Sequence, residues 1–369
     1  MRLGLVLLVC IAWFGPPVAR ADEHAVKTLA LGATAPGFRL PGVDGRTYSL
    51  DDFASARILV IVFTCNHCPT AQAYEDRIIH LARDYKPRGV AVVAINPNDP
   101  KAVRLDELGY TDIGDSLEEM KIRARTKKFP FPYLYDGATQ RTAHAYGVQA
   151  TPHVFIFDRD RKLRYVGRVD DGEIKRPKHH DARDAIEALL AGKPVPLAKT
   201  RVFGCSTKWA DKEADARRAL ARWDAEPVKL DNLDEAGLKA LVQNKGKKLL
   251  VINVWETRCG PCVHELPEFV TMNRMYRGRP FRLVTISLDD PDHKAAALEM
   301  LQKKHVAATN YIAMMDRDRF ADLLDKSWEG PLPHTLLIAP GGKVIYRKTG
   351  AIEPLTVRQA IVGYLGRTY

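Results

Sequence analysis

Leu249-Leu250-Val251-Ile252-Asn253-Val254-Trp255 runs through Glu256-Thr257-Arg258 into Cys259-Gly260-Pro261-Cys262. Earlier in the chain, Ile58-Leu59-Val60-Ile61-Val62-Phe63 runs through Thr64 into Cys65-Asn66-His67-Cys68. A short apolar, β-branched run bounded by polar residues reads as a strand buried on both faces. Each Cys-x-x-Cys therefore ends a predicted strand and opens a predicted helix. Thiol–disulfide exchange needs that placement. A thiolate at a helix N-terminus meets unpaired N–H groups and the positive end of the helix dipole, which lower its pKa. The second thiol, a turn on, resolves the mixed disulfide. A mere structural staple would close so short a loop that it stabilised little.

Outward from the first motif, Ala35–Leu40 and Asp44–Leu50 read as short strands about an Asp-Gly turn. Ala71–Tyr85, Leu117–Lys128, Thr139–Tyr146 and Asp181–Leu190 read as helices. Val90–Ile95, Tyr133–Tyr135, His153–Phe157 and Leu163–Val169 read as strands. The second half repeats the plan. Strands are expected at Leu249–Trp255, Phe281–Leu288, Tyr311–Met315, Thr335–Ile338 and Lys343–Arg347. Helices are expected from Cys262 and over Lys294–His305, Arg319–Trp328 and Val357–Leu365. Alternation of strands and helices implies sheets with parallel pairs covered on both faces. Between the halves, Lys208–Trp223 is a highly charged helical stretch that reads as a linker.

The N-terminus has the form of a secretory signal: Arg2, the apolar Leu3–Phe14, and Ala19-Arg20-Ala21 as a cleavage site before Asp22. Cys10 would leave with it. The expected protein is periplasmic or otherwise exported, and soluble after cleavage. The 369 residues leave room for two domains, and the net charge of +11 is spread without aromatic-interleaved basic stretches, which argues against a nucleic-acid partner.

Each half carries a second signature: Thr151-Pro152 before His153–Phe157, and Leu332-Pro333 before Thr335–Ile338. With the Cys-x-x-Cys motifs, these resemble the cis-proline of the thioredoxin fold. The resemblance covers nearly all of the mature chain. It implies an α/β architecture of two thioredoxin-like domains in tandem, each a central mixed sheet flanked by helices. Residues 22–200 form the first domain, 201–235 a linker and 236–369 the second domain, after a signal peptide over 1–21. The second half resembles the TlpA/ResA type of exported oxidoreductase in Trp255, Cys259-Gly260-Pro261-Cys262, Pro267 and Glu265. It departs from that type at Glu256 and Arg258. The first half resembles the redoxin (AhpC/TSA-like) branch in Ala35-Pro36-Gly37-Phe38-Arg39-Leu40, Thr64-Cys65-Asn66-His67-Cys68-Pro69 and Ala150-Thr151-Pro152-His153. The peroxide-binding signature of that branch needs Pro and Thr or Ser where Ile58 and Val62 stand.

The resemblance implies attacking thiols Cys65 and Cys259, resolving thiols Cys68 and Cys262, and substrate-presenting Pro152 and Pro333. His67 would stabilise the neighbouring thiolate and make the first disulfide oxidising, as in protein disulfide isomerase and DsbA. Gly260-Pro261 resembles thioredoxin, whose potential lies roughly 90 mV lower than that of the isomerase, on the order of 4 kcal/mol for two electrons. Electrons would then run from the second site to the first. Glu265 is a candidate base for the buried thiol, or a carboxylate favourable to the helix dipole. Cys205 is either a third redox thiol or an inert buried one, and burial is the commoner fate. Pro69 and Val263 replace the histidine of a c-type haem motif, and the two pairs lie too far apart for a zinc ribbon. The expected activity is thiol–disulfide exchange with protein thiols and disulfides, supplied by a membrane or soluble thiol donor, with no cofactor and no metal. A thiol peroxidase and a metallochaperone or binding module stand as alternatives.

Overall fold

The computed structural model describes residues 26–369; the signal segment expected at 1–21, and Cys10 within it, lie outside the described residues. Two mixed sheets organise the chain. The first has the order Tyr133–Tyr135, Val90–Asn96, Ile58–Phe63, His153–Phe157, Leu163–Gly167, with the first three parallel and the last two antiparallel. The second has the order Asp231–Leu233, Thr309–Ala313, Phe281–Ser287, Leu249–Trp255, His334–Ala339, Lys343–Thr349, with four parallel strands followed by an antiparallel pair. Both motif strands are central, as their apolar runs require.

Successive residues of a strand face opposite sides of a sheet, and both sides are covered here. Leu59, Ile61 and Phe63 join Phe155, Phe157 and Tyr146 in one core. Ile58, Val60 and Val62 join Tyr74, Ile78 and Leu81 of the first site helix, Pro69–Tyr85, in the other. In the second half, Leu250, Ile252 and Val254 pack with Leu238 and Phe320, while Leu249 and Val251 meet Phe269, Met272 and Tyr276 of the second site helix, Gly260–Tyr276. Pro267 lies within that helix. Among the described residues no helix is long and apolar enough to cross a membrane.

The helix expected in the linker is present, and the linker also adds a short strand to each half. Glu213–Asp224 is helical, Cys205–Ser206 pairs as a strand with Ala150–Thr151, and Asp231–Leu233 forms the edge of the second sheet. Asp231-Asn232 is too polar and the strand too short to be seen from pattern alone.

The two halves clasp one another through the first half's loop Gly109–Asp112. Tyr276 Oη donates to the Thr111 carbonyl (3.0 Å) and Arg279 Nη1 to the Gly109 carbonyl (2.8 Å). The Arg279 guanidinium lies 3.8 Å from the centre of the Tyr110 ring, and Arg367 pairs with Asp112 at 2.6 Å. Leu105 and Leu108 pack into the second half's core. Arg279→Ala strands the buried Gly109 carbonyl, at a cost of about 1–3 kcal/mol. Calorimetry of this variant should resolve two unfolding transitions in place of one. A single transition at the wild-type midpoint would show that this clasp does not couple the halves.

Candidate functional site

The first pair departs from the expected geometry. Its helix begins at Pro69, so Cys68, and not Cys65, is the N-cap, and its sulfur accepts the Ala71 N–H at 3.5 Å. Proline suits the first helical position because its missing N–H would have had no partner there. Cys65 lies a turn outside, buried, with its sulfur 3.1 Å from Thr151 Oγ1. The helix field thus falls on Cys68.

One carboxylate holds the motif in place. Asp115 Oδ1 accepts the Asn66 N–H (2.8 Å). Asp115 Oδ2 lies 2.5 Å from His67 Nδ1 and accepts from Asn98 Nδ2 at 2.8 Å. Asn66 is further tied by its amide to the Gly114 carbonyl and by Tyr133 Oη. Burial disfavours the His67 charge, but Asp115 outweighs it and raises the imidazole's pKa above the ordinary value; the Cys68 sulfur adds to the shift. His67 in turn lowers the Asp115 pKa against the opposing effect of burial.

The two thiols are pushed apart. Burial, the Cys68 sulfur and the Asp115 charge hold the Cys65 pKa well above the usual thiol value. Burial would raise Cys68 too, but hydrogen bonds from the Cys205 and Cys65 thiols, the His67 charge and the Ala71 N–H bring it well below that value. The Thr151 carbonyl, 3.4 Å from Cys68 Sγ, is a hydrogen-bond partner only for the protonated thiol. The donors outnumber it, and their balance lowers the Cys68 pKa.

Cys65, His67 and Asp115 are the one group among the described residues whose ligand atoms converge as metal donors do. His67 Nδ1 and Asp115 Oδ2 are paired with each other, so an ion taking Nδ1 would have to displace that proton, while His67 Nε2 is buried without a partner.

At the second pair the helix does begin at the motif. Cys259 is the N-cap, its sulfur accepts the Cys262 N–H at 3.3 Å, and it is bonded to Cys262 as a disulfide. Cys259 is partly exposed and Cys262 fully buried beside Trp255 and Leu266. Glu265 is buried with both oxygens engaged, by Asn253 Nδ2 (2.9 Å) and the Ile352 N–H (2.9 Å). Burial raises its pKa despite those donors. Pro152 and Pro333 both follow cis peptide bonds, Pro152 beside Cys65 and Cys68 through Thr151. Of the two unusual charges, Glu256 is paired with Arg317, and Arg258 is exposed.

The Redoxin family description matches residues 30–186 and again residues 225–361. The chain belongs to the Redoxin family. Among curated relatives, the thiol-disulfide oxidoreductase ResA of Geobacillus thermodenitrificans is 25% identical over 179 residues, 47% of this chain and 90% of that one. ResA of Bacillus subtilis is 30% identical over 108 residues, 29% of this chain and 56% of that one. Among solved structures, an uncharacterized conserved protein of Geobacillus kaustophilus is 43% identical, covering 49% of this chain and 92% of that one, with a TM-score of 0.44. A hypothetical protein of Sinorhizobium meliloti is 35% identical, covering 50% and 97%, with a TM-score of 0.45. This redoxin is a thiol–disulfide oxidoreductase built on thioredoxin-like folds, as its sequence resemblance implied.

Sequence reasoning passed over Asp115 and Asn98, and it took Thr151 only as the residue before the proline, not as a partner of both sulfurs. Asp115 lies 48 residues beyond His67 in Gly114-Asp115-Ser116, which offers only a helix-start signal. Asp115→Asn should cost about 3–5 kcal/mol, as breaking a buried pair does. It should also raise the Cys68 pKa, read as thiolate absorbance against pH in a Cys259→Ser/Cys262→Ser background. An unmoved inflection would remove His67 from the site's chemistry. The pH dependence has a definite sign. His67, raised in the fold, contributes fully below its unfolded value of about 6.5, and Asp115, lowered, contributes above its unfolded value of about 3.9. The stability difference between wild type and variant should therefore peak between those values. It should shrink as pH rises through the folded His67 pKa or falls through that of Asp115.

Proposed function

We propose that this redoxin is an exported oxidoreductase in which both pairs, Cys65/Cys68 and Cys259/Cys262, turn over, with electrons passing from the second to the first. The observation that carries the reading is the asymmetry of the second pair: a partly exposed Cys259 capping a helix above a fully buried Cys262. Reduction of a partner disulfide would begin with the Cys259 thiolate attacking one of its sulfurs, expelling the other as a thiolate that takes up a proton from water. Cys262, losing its proton to Glu265, would attack Cys259 Sγ, closing the Cys259–Cys262 disulfide and releasing the reduced partner. Pro333 would present the partner's backbone. The raised pKa of Glu265 suits it to accept that proton.

The direction of flow rests on the first site. Stabilising a thiolate stabilises the reduced pair and makes its disulfide the better oxidant. His67 and the Ala71 N–H act on Cys68 in that sense. The second pair has no such imidazole within the motif. A peroxidase reading finds less support, because Ile58 and Val62 both point into the core packed on the first site helix. Export rests on the form of residues 1–21.

Two measurements test this reading. Cys262→Ser should trap mixed disulfides with partner proteins on Cys259, whereas Cys259→Ser should trap almost none. Adducts found mainly on Cys262 of Cys259→Ser would reverse the roles. Full-length chains carrying Cys65→Ser/Cys68→Ser or Cys259→Ser/Cys262→Ser isolate each pair for titration against glutathione. The first pair should show the higher potential, and equal or inverted potentials would defeat the relay.

A further inference from the structure

Neither thiol of the first pair reaches solvent: Cys65 is 2% and Cys68 0% exposed. What covers them is the chain itself. Cys205–Ser206 runs antiparallel to Ala150–Thr151, with Thr151 opposite Cys205, and fills the backbone edge beside both sulfurs. The Cys205 N–H donates to Cys68 Sγ at 3.3 Å, and Cys205 packs with Cys65, Cys68 and Ala71 in one small cluster. The burial expected as the commoner fate of Cys205 is corrected: Cys205 is partly exposed and touches the site.

The seating is built rather than incidental. Gly204 has φ of 144°, and a Cβ there would run into the Thr151 carbonyl, so only glycine lets the strand approach so closely. On one side Phe203 lies 6.0 Å from the Tyr74 ring. On the other, the Lys208 N–H donates to Asn98 Oδ1 (2.9 Å), and the Lys208 carbonyl accepts from Gln140 Nε2 (2.8 Å) and the Asp99 N–H (2.9 Å). Trp209 stacks on His144 at 4.1 Å. Asn98 thus grips both this strand and Asp115.

We propose that Cys205 is a third redox thiol of the first site, forming a disulfide with Cys68 and presenting the site's oxidation at the surface. The proposal rests on the reading that the first pair is redox-active. Starting from a Cys65–Cys68 disulfide, deprotonated Cys205 attacks Cys68 Sγ. The Cys68–Cys205 bond forms, and the Cys65–Cys68 bond breaks with its electron pair on Cys65, which takes up the proton. A partner thiolate then attacks Cys205 Sγ, which is partly exposed, and Cys68 leaves as the thiolate its surroundings favour. A second partner thiol attacks the mixed disulfide, releases Cys205 as a thiol, and leaves the partner oxidised by two electrons. The partner is a dithiol that need only approach Cys205 and never enters the groove.

The test uses the full chain in a Cys259→Ser/Cys262→Ser background, equilibrated with glutathione buffers, acid-quenched, alkylated and peptide-mapped without reduction. A Cys68–Cys205 cross-link should appear beside Cys65–Cys68, and in Cys65→Ser it should be the disulfide formed within the site. Gly204→Ala, which touches no thiol, should reduce the cross-link at least tenfold while Cys65–Cys68 still forms. Cys205 alkylated at every buffer ratio while Cys65–Cys68 forms would overturn the proposal and leave the redox reading standing. An undiminished cross-link in Gly204→Ala would overturn the strand's role. Absence of every disulfide among the three would defeat the proposal and the redox reading together.

Discussion

The first site depends on a single buried carboxylate. Asp115 accepts from the backbone of Asn66, the ring of His67 and the amide of Asn98. A buried charge is tolerated only where such partners compensate its lost hydration. The compensation works in both directions, since the groups that satisfy Asp115 are themselves held by it. The charge it places on His67 favours a thiolate at Cys68, and its own negative charge opposes one at Cys65. Geometry and reactivity therefore share one origin. The clasp on Gly109–Asp112 places the second domain a few residues from the same carboxylate.

The two pairs show how small a change redistributes reactivity on a common scaffold. Pro261 is the second residue of its helix and Pro69 the first, and each helix starts accordingly. In one case the earlier cysteine caps the helix, in the other the later one. The same peptide dipoles thus act on opposite members of the motif. The covering also differs. Ala150–Thr151 carries a partner strand from the same chain, while among the described residues no strand pairs with the segment just before Pro333.

Most of the architecture was legible in the sequence because it rests on local pattern. The unbroken apolar runs Ile58–Phe63 and Leu249–Trp255 announced central strands. Pro69 stands where a helix that Cys68 caps would begin, since proline prefers the first helical position, but the sequence reading made no use of it. The expectation of Cys65 as the attacking thiol came from the resemblance, which carries no information on where this helix starts. Asp115 and Asn98 carried no functional signal, because their meaning lies wholly in contacts across the fold. Cys205 was visible as an odd cysteine, but only the pairing of Cys205–Ser206 with Ala150–Thr151 gives it a neighbour.

That pairing changes the arithmetic of competition at the first groove. A segment tethered to its own site is present at an effective concentration on the order of millimolar, however dilute the protein. A resident segment with micromolar intrinsic affinity would weaken any competitor for that edge by roughly a thousandfold, the ratio of the effective concentration to its own dissociation constant. The edge beside the first pair is therefore closed by occupancy: any chain that paired with Ala150–Thr151 would first have to displace Cys205–Ser206.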